Sequence, residues 1–184
     1  MASWDYQNIG VSVTKDNRMY IEQVLECLGM NLIDINGVCY DEQVGPINKS
    51  FSPNVMGELK ISFYDWMERS DYLNALYHFL NKVFGDTYVY YENEVGNNTS
   101  DYYYREEEIY DPVNKKIHFA VNEYCYGSDE PCRGLETYDE EIEIVDNFEK
   151  LFCDLLEGAM KKNYTELLSI MREKLPDFKI QKEI

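Results

Sequence analysis

Three runs of strand-forming residues between positions 86 and 126 constrain the fold of this chain more than any other part of its sequence. The runs read DTYVYYENEV, DYYYREEEIY and IHFAVNEYCY, and the segments GNNTS and DPVNKK separate them. Clusters of Gly, Asn, Asp and Pro between aromatic and β-branched runs are typical of turns that join antiparallel strands. The segment therefore predicts a three-stranded antiparallel meander.

A shorter pattern of alternating and helical spacing occupies the start of the chain. Apolar alternation over residues 9–13 predicts a strand. Apolar residues at helical spacing then predict a helix that Asp16 caps and Gly29 ends. The dipeptide Asn36-Gly37 between two apolar runs predicts a hairpin.

The segment before the meander combines a loop, a strand and a helix. Residues 42–57 contain two prolines and two glycines, which predict a loop. Alternation over residues 59–63 predicts a strand, and apolar spacing predicts a helix over residues 72–84 with Ser70 or Asp71 as its cap.

The region after the meander is predicted to be a loop followed by two helices. Residues 127–137 have the composition of a loop, and the acidic run 139–141 suits the positive end of a helix dipole. Residues 141–145 also alternate as a strand would, which leaves open a helix that begins near Asp146. A last helix is predicted over residues 164–174.

These elements predict one α+β domain over residues 1–184. Its sheet is mainly antiparallel and built from βαββ-like units, with helices on one face and two helices at the C-terminus. The predicted sub-units are a βαββ unit over 1–41, a βαβββ unit over 58–126 and the C-terminal helices over 138–176.

The formal net charge of −18 is concentrated in one third of the chain. Residues 86–149 hold 18 Asp and Glu against 4 Lys and Arg, a net charge of −14. Such a field opposes binding to nucleic acid or anionic membrane and favours a basic partner. The sequence shows no signal-peptide pattern, and its five cysteines form no CxxC pair, so we expect a cytoplasmic protein with reduced thiols.

The sequence contains no motif that names a reaction. It has no P-loop, no dinucleotide-binding glycine pattern, no HExxH, no GxSxG and no EF-hand loop. We therefore expect no enzymatic activity, no cofactor and no metal site. His78 and His118 are interpreted as ordinary helix and strand residues. An enzyme that used carboxylates and tyrosines as acid and base would need a cleft with a carboxyl of raised pKa.

Tyrosines and carboxylates share strand faces in the meander. Period 2 places Tyr90 with Glu92 on one face of the first strand, and Tyr104 with Glu106 on one face of the second. A core face would exclude the glutamates, whereas a purely solvated face does not require so many aromatic rings. The combination predicts an exposed wall of phenols and carboxylates that binds a protein partner. The candidate partner-binding residues are Tyr90, Glu92, Glu94, Asp101, Tyr102, Tyr104, Glu106, Glu107, Glu108, Asp111, Asp139, Glu140, Glu141 and Glu143.

These acidic clusters give the chain a resemblance to a known class of proteins. A small, acidic, tyrosine-rich chain without a catalytic motif resembles the DNA-mimic inhibitors of phages and mobile elements, the anti-CRISPR and anti-restriction proteins. The resemblance implies a basic nucleic-acid-binding partner, such as a Cas-type effector or restriction enzyme in the host cytoplasm. It also implies that the chain itself binds neither nucleic acid nor membrane.

Two other functions fit the same sequence. An immunity protein that neutralises a nuclease toxin would have the same composition. Alternatively, the acidity serves only solubility, and the C-terminal helices form a homodimer or bind an adaptor partner. The second alternative depends on a broad apolar stripe formed by Phe148, Leu151, Phe152, Leu155 and Leu156.

Overall fold

The computed structural model of the protein describes residues 3–35, 51, 53–59, 68–97, 102–125, 134–143 and 148–177. Its strands are β1 (Ser3–Val11), β2 (Asn31–Ile33), β3 (Val55–Glu58), β4 (Val89–Asn97), β5 (Tyr102–Asp111), β6 (Lys116–Cys125) and β7 (Gly134–Glu141). Its helices are α1 (Arg18–Cys27), α2 (Arg69–Phe84), α3 (Glu149–Lys161) and α4 (Thr165–Lys174).

The seven strands form one sheet in the order β2-β3-β1-β4-β5-β6-β7. Every neighbouring pair is antiparallel. The α+β prediction is confirmed, and the predicted meander is the β4-β5-β6 part of this sheet. β2 and β7 lie at the two edges of the sheet in the described part of the chain.

The register of the sheet separates two faces with different cover. Ile9 lies opposite Tyr91, and Tyr90 lies opposite Ile109. Directly opposite residues share a face, so these two pairs lie on different faces. The face of Ile9 and Tyr91, called the helix face here, contributes to the main core together with all four helices. On the other face, called the second face, Tyr90 and Ile109 form a smaller core with Phe51.

α1 and α2 pack on the sheet, and α3 and α4 pack on other helices, through the apolar stripes that the sequence predicts. α3 contacts α1, α2 and α4, so its broad stripe is surrounded by other parts of the same chain. The stripe residues proposed as a dimer surface are all buried: Phe148, Leu151, Phe152, Leu155 and Leu156. Removing one such side chain from water contributes about 1.5–3 kcal/mol to folding. The width of the stripe is therefore explained by the core of this chain.

The observed C-termini of the helices agree with the sequence-based predictions better than the observed N-termini do. Gly29 and Gly85 follow α1 and α2 with φ of 81° and 82°, a conformation that glycine adopts without strain. The N-cap of α1 is Asn17 rather than Asp16. The N-cap of α2 is Glu68, before either predicted cap residue.

Two predicted loop segments are strands instead. Val55–Glu58 forms β3, because it pairs with both β1 and β2. Gly134–Glu141 forms β7, because its backbone pairs with β6. The prediction that a helix starts at residues 139–141 is therefore wrong, and α3 begins only at Glu149. Pairing with the preceding strand β6 outweighs the weak preference of acidic residues for a helix N-terminus.

Some predictions cannot be compared with the structure. The Asn36-Gly37 turn and positions 60–63 of the predicted strand lie outside the described residues. Within the described residues, no helix has both the length and the apolar character that a membrane span requires.

Candidate functional site

The β4-β5 register distributes the predicted acidic wall over both faces of the sheet. Glu92 lies opposite Glu107, and Asn93 lies opposite Glu106. Even-numbered residues of β4 therefore share a face with odd-numbered residues of β5. The set with Glu92 lies on the second face, whereas Glu106 lies on the helix face. The prediction of a single wall is wrong, because the pairing register shifts one set to the other side.

A buried arginine organises the carboxylates on the second face. Arg105 is 5% exposed, and its Nη2 lies 3.1 Å from Glu92 and 2.7 Å from Glu107. The Tyr90 hydroxyl donates a hydrogen bond of 2.9 Å to Glu92, and the Asn8 side-chain amide donates one of 2.8 Å. We call this group the Arg105 cluster. It places two carboxylates around one cation within the sheet.

Glu107 is the most deeply buried carboxyl of the Arg105 cluster. Its residue is 1% exposed. Burial raises the pKa of Glu107 to about 7, although the neighbouring Arg105 guanidinium opposes the increase. An acid–base enzyme would need a carboxyl group that has a raised pKa and is also accessible to substrate. The Glu107 side chain meets the first requirement, but it is buried too deeply to contact a substrate in this conformation.

A second arginine organises the carboxylates on the helix face. Arg69, the first residue of α2, forms an ion pair with Glu106 and another of 3.0 Å with Glu108. Its guanidinium also lies over the Tyr91 ring, 5.1 Å from the centroid. The Tyr104 hydroxyl donates to Glu106 at 2.6 Å. We call this group the Arg69 cluster, and it fixes the start of α2 on the sheet.

The two clusters change the interpretation of the predicted partner-binding residues. The predicted residues that are buried rather than exposed are Tyr90, Glu92, Glu107, Glu108 and Asp111. Glu106 retains only 13% of its side-chain exposure. Ionised carboxylates are buried where cations or hydrogen-bond donors compensate for lost water, as Arg69 and Arg105 do here. These residues lie within the packed sheet and do not present a charged surface.

His118 of β6 links the end of β5 to β7. Its Nε2 lies 3.2 Å from Asp111, and its Nδ1 lies 2.8 Å from Asp139. Burial lowers the pKa of His118, but the hydrogen bonds to Asp139 and Asp111 outweigh burial and raise it above its ordinary value. Burial likewise opposes ionisation of Asp111, yet hydrogen bonds from Asn114, His118 and the Val113 amide hold its pKa at about 2. A protonated imidazole donates to both carboxylates, so His118 ties β7 to its neighbours.

β7 forms an exposed acidic edge of the sheet. Every residue from Leu135 to Glu141 is exposed. We call Leu135–Glu141 together with Glu143 the acidic edge. Its carboxylates are Glu136, Asp139, Glu140, Glu141 and Glu143. The predicted exposure of Asp139, Glu140, Glu141 and Glu143 is confirmed, in a strand and the residues just after it rather than in a helix.

Aromatic surface accompanies the acidic edge on the helix face. Tyr138 is 49% exposed, and its ring stacks on Phe119 with centroids 4.7 Å apart and planes 10° apart. Burial and the nearby carboxylate of Glu140 raise the pKa of Tyr138, so its phenol remains a hydrogen-bond donor. At the far end of β5, Tyr102 is 39% exposed. Tyrosine and carboxylate thus do meet on one exposed face, at β7 rather than at β4.

The remaining predicted site residues have mixed positions. Glu94 and Tyr104 are half-buried, and Asp101 lies outside the described residues. The side chains that decide the arrangement are not among the predicted site residues: Arg69, Arg105, His118, Glu136 and Tyr138. One feature of the sequence could have indicated the Arg105 cluster. Arg105 is the single cation beside the acidic run EEE, and it pairs with the carboxylates that the register places next to it.

Comparisons with known proteins do not indicate a function for this arrangement of side chains. No protein-family model matches the chain, and no curated protein or solved structure matches it. The described residues also include no group of three or more His, Cys, Asp and Glu side chains arranged to hold a metal ion.

Proposed function

We propose that this protein is an acidic inhibitor that occupies the nucleic-acid-binding groove of a basic nuclease, with carboxylates in place of phosphates. The observation that carries the proposal is the acidic edge. Its carboxylates project from both sides of one exposed strand, with Glu136 and Glu140 on the helix face and Asp139 and Glu141 on the second face. Alternate strand residues are about 6.7 Å apart. The result is a narrow, negatively charged ridge, which is a shape that can enter a groove.

The Arg69 and Arg105 clusters support this proposal indirectly. Because they compensate the carboxylates of β4 and β5, the exposed negative charge of the sheet is shifted towards β7. The buried ion pair of Arg105 with Glu92 also joins β5 to β4 within the sheet to which β7 belongs. The net charge of −14 over residues 86–149 still creates a field that accelerates encounter with a basic surface.

One part of the acidic edge is less negative than the rest. Glu141 lies directly opposite Lys116 in the β6-β7 pairing, which places a cation next to it. Glu136 and Glu140 lie opposite Val121 and Ile117 instead. We therefore expect these two glutamates to contribute most to binding.

Charge reversal at these positions tests the proposal. The variant Glu136→Lys/Glu140→Lys is compared with the wild type for binding to purified Cas-type effectors and restriction enzymes at about 50 mM salt. We expect the association rate to fall by about 10-fold or more and its salt dependence to weaken, since exposed charges act mainly on the on-rate. Competition with duplex DNA for the nuclease should also weaken.

The matched control is Asp16→Lys/Glu173→Lys, which makes the same change in charge at exposed positions outside β7. It should bind nearly as the wild type does. The proposal fails if wild-type protein binds no nuclease of the panel, or if the control loses binding as strongly as the β7 variant.

A further inference from the structure

Among the described residues, β7 is hydrogen-bonded to the sheet along one of its two sides. Its residues pair with β6 from Lys116–Glu141 to Glu123–Gly134. In the part of the chain that the structure describes, no strand pairs with its other side. An exposed strand edge is a template for pairing with another extended segment.

The hydrogen-bond pattern identifies the residues that face outward. The Ile142 amide donates to the Lys115 carbonyl at 3.2 Å, so this pair is a hydrogen-bonded one. Hydrogen-bonded and non-hydrogen-bonded pairs alternate along an antiparallel ladder. The even-numbered residues of β7 therefore bond to β6. The residues whose backbone N–H and C=O groups point away from the sheet are Leu135, Thr137, Asp139 and Glu141. They extend over about 20 Å.

Charge decides what can pair with this side of β7. A second copy of the chain would bring carboxylates against carboxylates, and like charges on directly opposed strands are destabilising. A segment with lysine or arginine gains an opposite charge at the same positions. We propose that β7 binds an extended, Lys/Arg-rich segment of a partner protein by adding it to the sheet as an eighth strand.

Side chains beside the edge define the pattern that such a segment needs. On the helix face, Glu136 and Glu140 flank Tyr138, whose half-exposed ring accepts a cation or the aliphatic stem of a lysine. On the second face, Leu135 is 58% exposed and accepts an apolar side chain at one end of the strand. The segment therefore carries basic residues at alternate positions on its helix-face side. This inference takes the basic partner from the proposed function, but it does not depend on that partner being a nuclease.

A proline at Thr137 separates backbone pairing from charge. Thr137→Pro removes one outward N–H and leaves every carboxylate in place, and proline is tolerated on an edge strand where its nitrogen faces solvent. Thr137→Val keeps the N–H and is the matched control. The probe is a labelled nine-residue peptide of alternating Lys and Thr, measured by fluorescence anisotropy at about 50 mM salt with the full chain. We expect the valine variant to bind as the wild type does and the proline variant to bind about 5- to 10-fold more weakly.

Hydrogen exchange gives a second measurement that needs no variant. Addition of the Lys/Thr peptide should slow exchange of the Thr137, Asp139 and Glu141 amides, which point outward in the free protein. Equal binding by an alternating Glu/Thr peptide, absence of binding by the Lys/Thr peptide, or unchanged exchange of these amides would each overturn the inference.

The proposed function and this inference fail in distinguishable ways. If Thr137→Pro binds the peptide normally while Glu136→Lys/Glu140→Lys does not, charge acts without strand addition, and only the inference is overturned. If the peptide adds to β7 but no nuclease is bound, the inference holds and the inhibitor proposal falls.

Discussion

Glu107→Gln tests whether the Arg105 cluster is buried as the structure describes. Burial raises the Glu107 pKa from 4.5 to about 7. Because this pKa is higher in the folded protein than in the unfolded chain, folding is accompanied by proton uptake at pH values between these two pKa values. The folded state is therefore favoured below about pH 4.5, and this contribution is lost as the pH rises towards 7. At about 1.36 kcal/mol per pH unit, the loss is about 3 kcal/mol.

Urea unfolding between about pH 4.5 and pH 8 measures this effect in the wild type and the variant. The wild type should lose about 3 kcal/mol of unfolding free energy over this interval because of Glu107. Glutamine keeps the size of the side chain but cannot ionise, so the variant should lose much less. The difference between the two proteins should therefore shift in favour of Glu107→Gln as the pH rises.

A matched control is Glu136→Gln, which removes an exposed carboxyl from the same sheet. Its unfolding free energy should follow that of the wild type within about 0.5 kcal/mol at every pH. Parallel curves for the wild type and Glu107→Gln would refute the reasoning, because they would mean that the carboxyl is solvated or that its charge is fully compensated by Arg105.

Three further predictions concern other contacts. Arg69→Met should lower the unfolding free energy, measured by urea unfolding, by about 3–5 kcal/mol, since Glu108 remains buried without its cation. The control Lys150→Met breaks an exposed pair with Asp154 and should change the unfolding free energy by less than about 0.5 kcal/mol. His118 should titrate by NMR above its ordinary pKa of 6.5, and Asp139→Asn should lower that pKa, because a neutral amide oxygen stabilises the imidazolium less than the Asp139 carboxylate does. An unchanged pKa in Asp139→Asn would contradict the pairing of His118 with Asp139. Gly158→Ala should destabilise the protein by about 1–3 kcal/mol in thermal unfolding, because a Cβ at this position would lie 2.9 Å from the Cys27 carbonyl oxygen and force α1 and α3 apart.

The elements of this fold could be predicted where the signal is local. The meander follows from three runs separated by turn residues, and α4 ends beside Pro176 as the helical spacing predicts. β7 could not be predicted in this way, because its sequence LETYDEE has neither clear alternation nor apolar character. It becomes a strand because β6 offers a partner along its full length. This pairing depends on the folded sheet, and the sequence of β7 gives little indication of it.

The candidate site was less predictable than the fold because it depends on register. A shift of one residue between β4 and β5 would place Arg105 and Glu107 on the opposite face of the sheet from Glu92 and so break up the Arg105 cluster. Arg69 reaches Glu106 across 37 positions of sequence, and no local pattern indicates that pair. Alternation along each strand correctly predicts which residues share a face within that strand. It cannot predict which residues of the next strand join them.

Carboxylates in this sheet have two physical roles, and the roles respond differently to substitution. The carboxylates of the two clusters share their arginines in pairs, Glu92 with Glu107 and Glu106 with Glu108, so changing one member alters the charge balance of the whole cluster. Effects within a cluster should therefore be non-additive. Within the described residues, no cation is shared by Glu136 and Glu140 of the acidic edge, so their effects on binding should add. Stability can be measured for single and double variants of the Arg105 cluster. Additive changes would mean that Glu92 and Glu107 do not interact through Arg105, and would contradict this arrangement of ion pairs.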